Sequence, residues 1–164
     1  MDPGAKVEER GQTAAHQPSV LVSIAPEPHS SAVIRQRVAD FGRRYGVAPD
    51  DLKEFLALLG EAVANAIKHS QSTSPIEVRC TVEGDCIVGS VRDRGIGFTA
   101  HSANRFELPS LVAEGGRGLP IMRYCSDTFV LESAPGAGTS VTVGRRFRCF
   151  GRGGATRPQD SAAV

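Results

Sequence analysis

Glu61-Ala62-Val63-Ala64-Asn65-Ala66-Ile67-Lys68-His69 sets a carboxylate and an amide four positions apart in a run of good helix formers. On a helix that spacing puts both side chains on one face, a turn apart. The pattern reaches back to Leu52: Leu52, Phe55, Leu56, Leu59, Val63, Ala66 and Ile67 recur at spacings of three and four, the inward stripe of an amphipathic helix. Glu61 and Asn65 point away from that stripe. Their neighbours Ala57, Ala62 and Ala64 are small, where a solvated face ordinarily carries long charged residues. Two readings stay open on this stretch alone: a polar face rich in helix formers, or a face that a ligand approaches closely.

The chain of 164 residues fits one domain with its own core. Its 19 basic and 18 acidic residues leave a net charge of +1, so no field of one sign draws it to nucleic acid or to a membrane surface. Aromatic residues are 5% and Trp is absent, which argues against a stacking platform for single strands. No apolar run approaches the ~20 residues that span a bilayer, and the polar start Met1-Asp2-Pro3 has no signal-peptide core. A cytoplasmic protein with no direct nucleic-acid or membrane partner is expected. Cys80, Cys86, Cys125 and Cys149 show no C-x-x-C pairing and no partnered His spacing, so a zinc site is not expected. Cys80 and Cys86 flank a hairpin turn and are read as reduced packing residues near each other across strands.

Around the central helix, residues 1 to 18 lack periodicity and are expected to be disordered. A short strand over Val20–Ile24 ends at Pro26 and Pro28; a helix capped by Ser30 or Ser31 then runs to about Tyr45, stopped by Gly46. Its inward stripe is Val33, Ile34, Val38 and Phe41, and its outer face carries Arg35, Arg37, Arg43 and Arg44. Pro49-Asp50-Asp51 opens the central helix, which ends near Ser70. Ile76–Val82 and Cys86–Val91 read as a hairpin about Glu83-Gly84-Asp85, delivering Asp93 to a strand end. Arg94 to Gly115 has no periodicity and is read as a functional loop. A helix from the Gly115–Gly118 run to about Cys125, a strand from Asp127 to Leu131, a Pro135–Gly138 turn and a closing strand from Thr139 to about Phe147 complete a domain over 19–148. Residues 149–164 read as a flexible tail.

Three further stretches shift the reading of Glu61 and Asn65 toward a face that a ligand approaches. Asp93-Arg94-Gly95-Ile96-Gly97 is D-x-G-x-G, Gly116-Arg117-Gly118-Leu119 is G-x-G-L, and Gly138-Thr139-Ser140-Val141 is G-T-x-V. Each alone is a weak signal: D-x-G-x-G by itself reads first as an ordinary turn, and a strand threonine is common. Together with E-x-x-x-N in front, their order and spacing resemble the Bergerat-type ATP-binding fold of gyrase, Hsp90, histidine kinases and MutL. Within that superfamily the short chain is most similar to the RsbW-like anti-sigma factor serine/threonine kinases, over roughly Val20 to Arg146.

The resemblance implies an α+β, two-layer sandwich: one mixed, mostly antiparallel sheet with helices on one face. It implies ATP and Mg²⁺ as cofactors, a sigma factor and a STAS-domain antagonist as protein partners, and a homodimer through the first helix and a sheet edge. Asp93 would accept a hydrogen bond from the exocyclic amine of adenine, with Gly95 and Gly97 letting backbone approach the nucleotide. Gly116, Gly118 and Leu119 would open a helix N-terminus toward phosphate, with Arg117 adding charge and Thr139 a hydroxyl to phosphate oxygen. Asn65 would bind the Mg²⁺, and Glu61 would be the general base toward a serine or threonine hydroxyl. His69 is read as structural. Two other outcomes fit the same motifs: a partner-binding module that keeps the pocket without transferring phosphate, and a histidine-kinase-type catalytic domain. The short stretch from Phe98 to Gly115 and the lack of a preceding phosphoacceptor hairpin count against a complete sensor kinase.

Overall fold

A computed structural model of the chain describes residues 5–10, 17–99 and 118–148. In chain order they form β1 (Lys6–Arg10), β2 (Ser19–Ile24), α1 (Ser30–Arg44), α2 (Pro49–His69), β3 (Ile76–Glu83), β4 (Cys86–Asp93), α3 (Gly118–Cys125), β5 (Thr128–Ala134) and β6 (Gly138–Arg146). The strands make one sheet in the order β1-β2-β3-β4-β6-β5. The expected α+β class holds, and every strand pair described is antiparallel.

Alternation decides where the core lies. Val22, Val78, Val91 and Val141 stand abreast in the register across β2, β3, β4 and β6, and all four are buried. One residue along, Ser23, Glu77, Arg92 and Ser140 occupy the other face, so one side of the sheet is apolar and one polar. The helices cover the apolar side: α1 lies against β2 and β3, α2 against β4 and β6, and α3 against α2 and β5. Gly89 is the seat of the central helix. A Cβ there would stand 2.8 Å from Leu59 Cδ1 and 2.9 Å from the Phe55 ring, so only glycine lets α2 come this near the sheet. Phe55 and Leu59 are 0% and 1% exposed, and each such buried side chain contributes about 1.5–3 kcal/mol of transfer free energy.

Helix ends follow the local chemistry with one difference. Pro49 occupies the first turn of α2 with Asp50 and Asp51, carboxylates that suit the positive end of the dipole. For α1 neither expected serine is the cap: His29 is, without a side-chain cap bond, and the Ser31 hydroxyl donates instead to the Pro28 carbonyl at 3.0 Å. Besides the expected stripe, the inward face of α2 also takes Leu58 and Ala62, both buried, while Leu56 and Ile67 are only partly so.

Two expectations are corrected here. Lys6–Arg10, inside the segment expected to be disordered, is an edge strand, with Val7 opposite Val22. One apolar residue in five gives no alternation to read; main-chain pairing holds the strand, helped by an ion pair from Glu9 to Arg44 of α1 at 2.7 Å. Cys80 and Cys86 are not neighbours across the hairpin. Cys80 is buried opposite Gly89, whereas Cys86 lies on the other face opposite Glu83 and Arg146. Burial alone pushes the Cys80 thiol far above the usual range; partial burial and then the Asp127 and Asp85 charges raise Cys86 more modestly. Among the described residues no helix is long and apolar enough to cross a membrane.

Candidate functional site

A cavity of ≈ 740 Å³ opens between α2, the ends of β4 and β6, and the start of α3, a size typical of small-molecule sites. Glu61, Asn65, Lys68 and His69 give its helical wall. From Glu61 to Ser70 that wall runs roughly 13 Å at the helical rise per residue, long enough to lie along an extended ligand with chemically different ends.

At the Ser70 end the chain folds tightly around Asp93. This carboxylate closes β4, is 6% exposed, and takes the Gly95 N–H on Oδ1 at 2.8 Å. Its second oxygen has no hydrogen-bond partner within the described residues and is free for a ligand donor. The next residues are pinned from two sides: Ile96 N–H donates to the Ser70 carbonyl at 2.9 Å, and the Ile96 carbonyl accepts Gly136 N–H at 2.6 Å. A Cβ on Gly95 would lie 2.1 Å from the Ser70 oxygen; on Gly97, which also has φ +57°, it would lie 2.1 Å from the Ala134 oxygen. Both glycines are therefore required by close backbone approach. Thr139 is the direct cross-strand partner of Asp93, and its hydroxyl lies 3.0 Å from that of Ser133.

At the other end, Gly118 opens α3 against Glu61 and Asn65. A Cβ on Gly118 would stand 2.2 Å from Glu61 Oε1 and 3.0 Å from Asn65 Nδ2, so the two side chains converge on the first residue of that helix. Glu61 is exposed and Asn65 half-buried. α3 is held at its far end by Arg145 of β6, which donates to the Cys125 carbonyl at 3.1 Å and pairs with Glu54 of α2. Arginine at a helix C-terminus also suits the dipole.

The structure thus gathers Glu61, Asn65, Asp93, Gly97, Gly118, Leu119 and Thr139 around one cavity. Gly95 stays behind the wall against Ser70, and Gly116 and Arg117, with most of the loop expected from Arg94 to Gly115, lie outside the described residues. Thr139 stands across from Asp93 in the sheet, whereas Glu61 and Asn65 stand by Gly118. His69 is exposed on the cavity wall and is not a packing residue. Lys68 was missed, although its spacing of three from Asn65 and seven from Glu61 was the signal for the same helix face. Gln71 was missed too: it lines the cavity with φ 52°, left-handed for a non-glycine residue, and nothing in its local sequence announces that.

With this geometry in hand, comparison with known proteins gives a consistent answer. Residues 24–144 match the family model described as histidine kinase-like ATPase domain. The chain is 31% identical to the anti-sigma F factor of Lysinibacillus sphaericus over 124 residues, 72% of this chain and 85% of that one. It is 29% identical to the anti-sigma F factor of Oceanobacillus iheyensis over 77% of this chain and 90% of that one. Among solved structures, the RsbU and RsbW domains of a Mycobacterium tuberculosis protein superpose with a TM-score of 0.61 at 18% identity. That match covers 81% of this chain and 33% of the other, so the chain spans about a third of that protein, and at this identity the likeness is one of fold.

Proposed function

This chain belongs to the histidine kinase-like ATPase domain family, and from that premise we propose that it is an anti-sigma factor serine/threonine kinase. It binds ATP with Mg²⁺, holds a sigma factor, and phosphorylates a serine or threonine of a STAS-type antagonist. Its similarity to anti-sigma F factors over most of its length supports the regulatory role. The observation that carries the reading is one cavity with two unlike ends: a buried acceptor at Asp93, and a carboxylate and an amide meeting a helix start at Gly118.

The chemistry follows from those ends. The free oxygen of Asp93 accepts the exocyclic amine of adenine, which guanine does not offer there. The phosphates extend along α2 toward Gly118, where the first N–H groups of α3 attract their oxygens. Asn65 stands beside Gly118, and its side-chain oxygen would hold the Mg²⁺. No group of three or more His, Cys, Asp or Glu placed to hold a metal ion occurs among the described residues, and Mg²⁺ needs none, because it keeps several waters and takes one or two protein oxygens with the phosphates. Bound there, Mg²⁺ neutralises phosphate charge. Glu61 takes the proton of the acceptor hydroxyl as its oxygen attacks the γ-phosphorus; the bond to the β–γ bridging oxygen breaks and ADP leaves. Phosphorylation releases the antagonist, and ADP favours its capture.

The arginine face of α1 could meet an acidic partner, and only part of it is free to do so. Arg43 pairs with Asp40 at 2.6 Å and Arg44 with Glu9 at 2.7 Å, while Arg35 and Arg37 are exposed without ion pairs among the described residues. Incubating the chain with γ-labelled ATP, Mg²⁺ and a STAS-domain antagonist tests the whole reading. Acid-stable label on the antagonist is the expected result; acid-labile label indicates a histidine kinase, and ATP binding with no transfer indicates a non-catalytic module.

A further inference from the structure

The geometry points to Ser133 as a positioning residue of the nucleotide site, one that fixes the Thr139 hydroxyl as an acceptor and so sharpens the choice of a 6-amino purine. This rests on the ATP reading above. Asp93, Thr139 and Ser133 stand abreast on β4, β6 and β5. The Ser133 hydroxyl donates its one proton to the Gly138 carbonyl at 3.0 Å. It accepts the Phe98 N–H at 2.9 Å and lies 3.0 Å from Thr139 Oγ1.

A serine hydroxyl has one proton and two lone pairs. With that proton on Gly138, the contact with Thr139 closes only if Thr139 donates. Thr139 then turns its lone pairs, not its proton, toward the cavity it lines beside Asp93. Two acceptors thus face the same place, matching an amine and repelling a 6-oxo group. The Phe98 contact has a second effect: it ties the segment after Gly97 to β5, which steadies the turn on which Asp93 rests. Removing the Ser133 hydroxyl frees the Thr139 proton to swing inward, where it can donate to a 6-oxo purine.

Calorimetry of ATP and ITP, each with Mg²⁺, on the full wild-type chain, Ser133→Ala and Ser133→Thr reads this directly, with thermal melts reporting the fold. Wild type prefers ATP. In Ser133→Ala the ATP/ITP affinity ratio falls by about 3–10-fold, the worth of one hydrogen bond, and Ser133→Thr restores it. An unchanged ratio in Ser133→Ala overturns the proposal, and so does an equal loss of both nucleotides, which is the mark of a purely structural residue. If Ser133→Ala does not fold, Thr139→Val removes the same acceptor: a lowered ratio supports the proposal and a retained one overturns it. Wild type binding neither nucleotide is a different failure, because it removes the ATP reading together with the inference.

Discussion

At one end of the cavity Asp93, Thr139 and Ser133 sit side by side on three hydrogen-bonded strands; at the other, Glu61 and Asn65 stand on one helix face and meet Gly118. The sheet end is bound up: Asp93 is buried, its turn is anchored to Ser70 and Gly136, and the Ser133 hydroxyl uses every donor and acceptor it has. At the helix end Glu61 is exposed, with no hydrogen bond holding it among the described residues. Recognition of a base rewards fixed acceptors, because a displaced one discriminates poorly. A proton acceptor for a protein hydroxyl must stay reachable by a second macromolecule. Under the proposed function, the difference in packing is the difference between selecting and reacting.

The largest effect expected from this contrast is at Glu61. Glu61→Gln keeps the shape and removes the base, so phosphate transfer to the antagonist should fall by about 10²–10⁴-fold while calorimetric ATP affinity stays near wild type. Equal transfer by the mutant would remove Glu61 from the chemistry. Asp93→Asn attacks the other end. Replacing an acceptor oxygen by an amide donor should weaken ATP binding by about 1–3 kcal/mol; a mutant that binds as wild type does would mean that the buried carboxylate serves only the Gly95 turn.

Gly118→Ala probes the meeting of α3 with α2. The added methyl must displace Glu61 and Asn65, an overpacking cost of about 1–3 kcal/mol, so transfer should drop about tenfold at the helix end with ATP/ITP discrimination unaltered. A simultaneous loss of discrimination would show that the two ends are not independent. The smallest effect is expected at the sheet edge: Arg44→Ala breaks an exposed ion pair worth about 0.2–1 kcal/mol. Hydrogen exchange should quicken at Lys6–Arg10 and stay unchanged at Asp93, and protection lost at both would make β1 part of the site's support.

How much of this was legible before any coordinates differs by residue. The stripe from Leu52 to Ile67 gave the central helix, and the alternation of Ile76–Val82 gave the hairpin that carries Asp93, because periods of 3.6 and 2 are local consequences of backbone geometry. β1 was not legible: a strand held by main-chain pairing and one ion pair leaves no hydrophobic signature. Ser133 was not legible either, for the expected strand ended at Leu131 whereas β5 continues to Ala134. Only the full register puts Ser133 opposite Thr139 and Thr139 opposite Asp93.

By itself the sequence determined the kind of fold and the chemical types in the site, since composition, periodicity and motif order are written along the chain. Which residues share an end of the cavity was decided by the tertiary structure. Strand register, the seat of α2 at Gly89 and the approach of α3 through Gly118 bring together groups far apart in sequence. Such distances depend on packing of the whole domain, for which no local stretch holds the information.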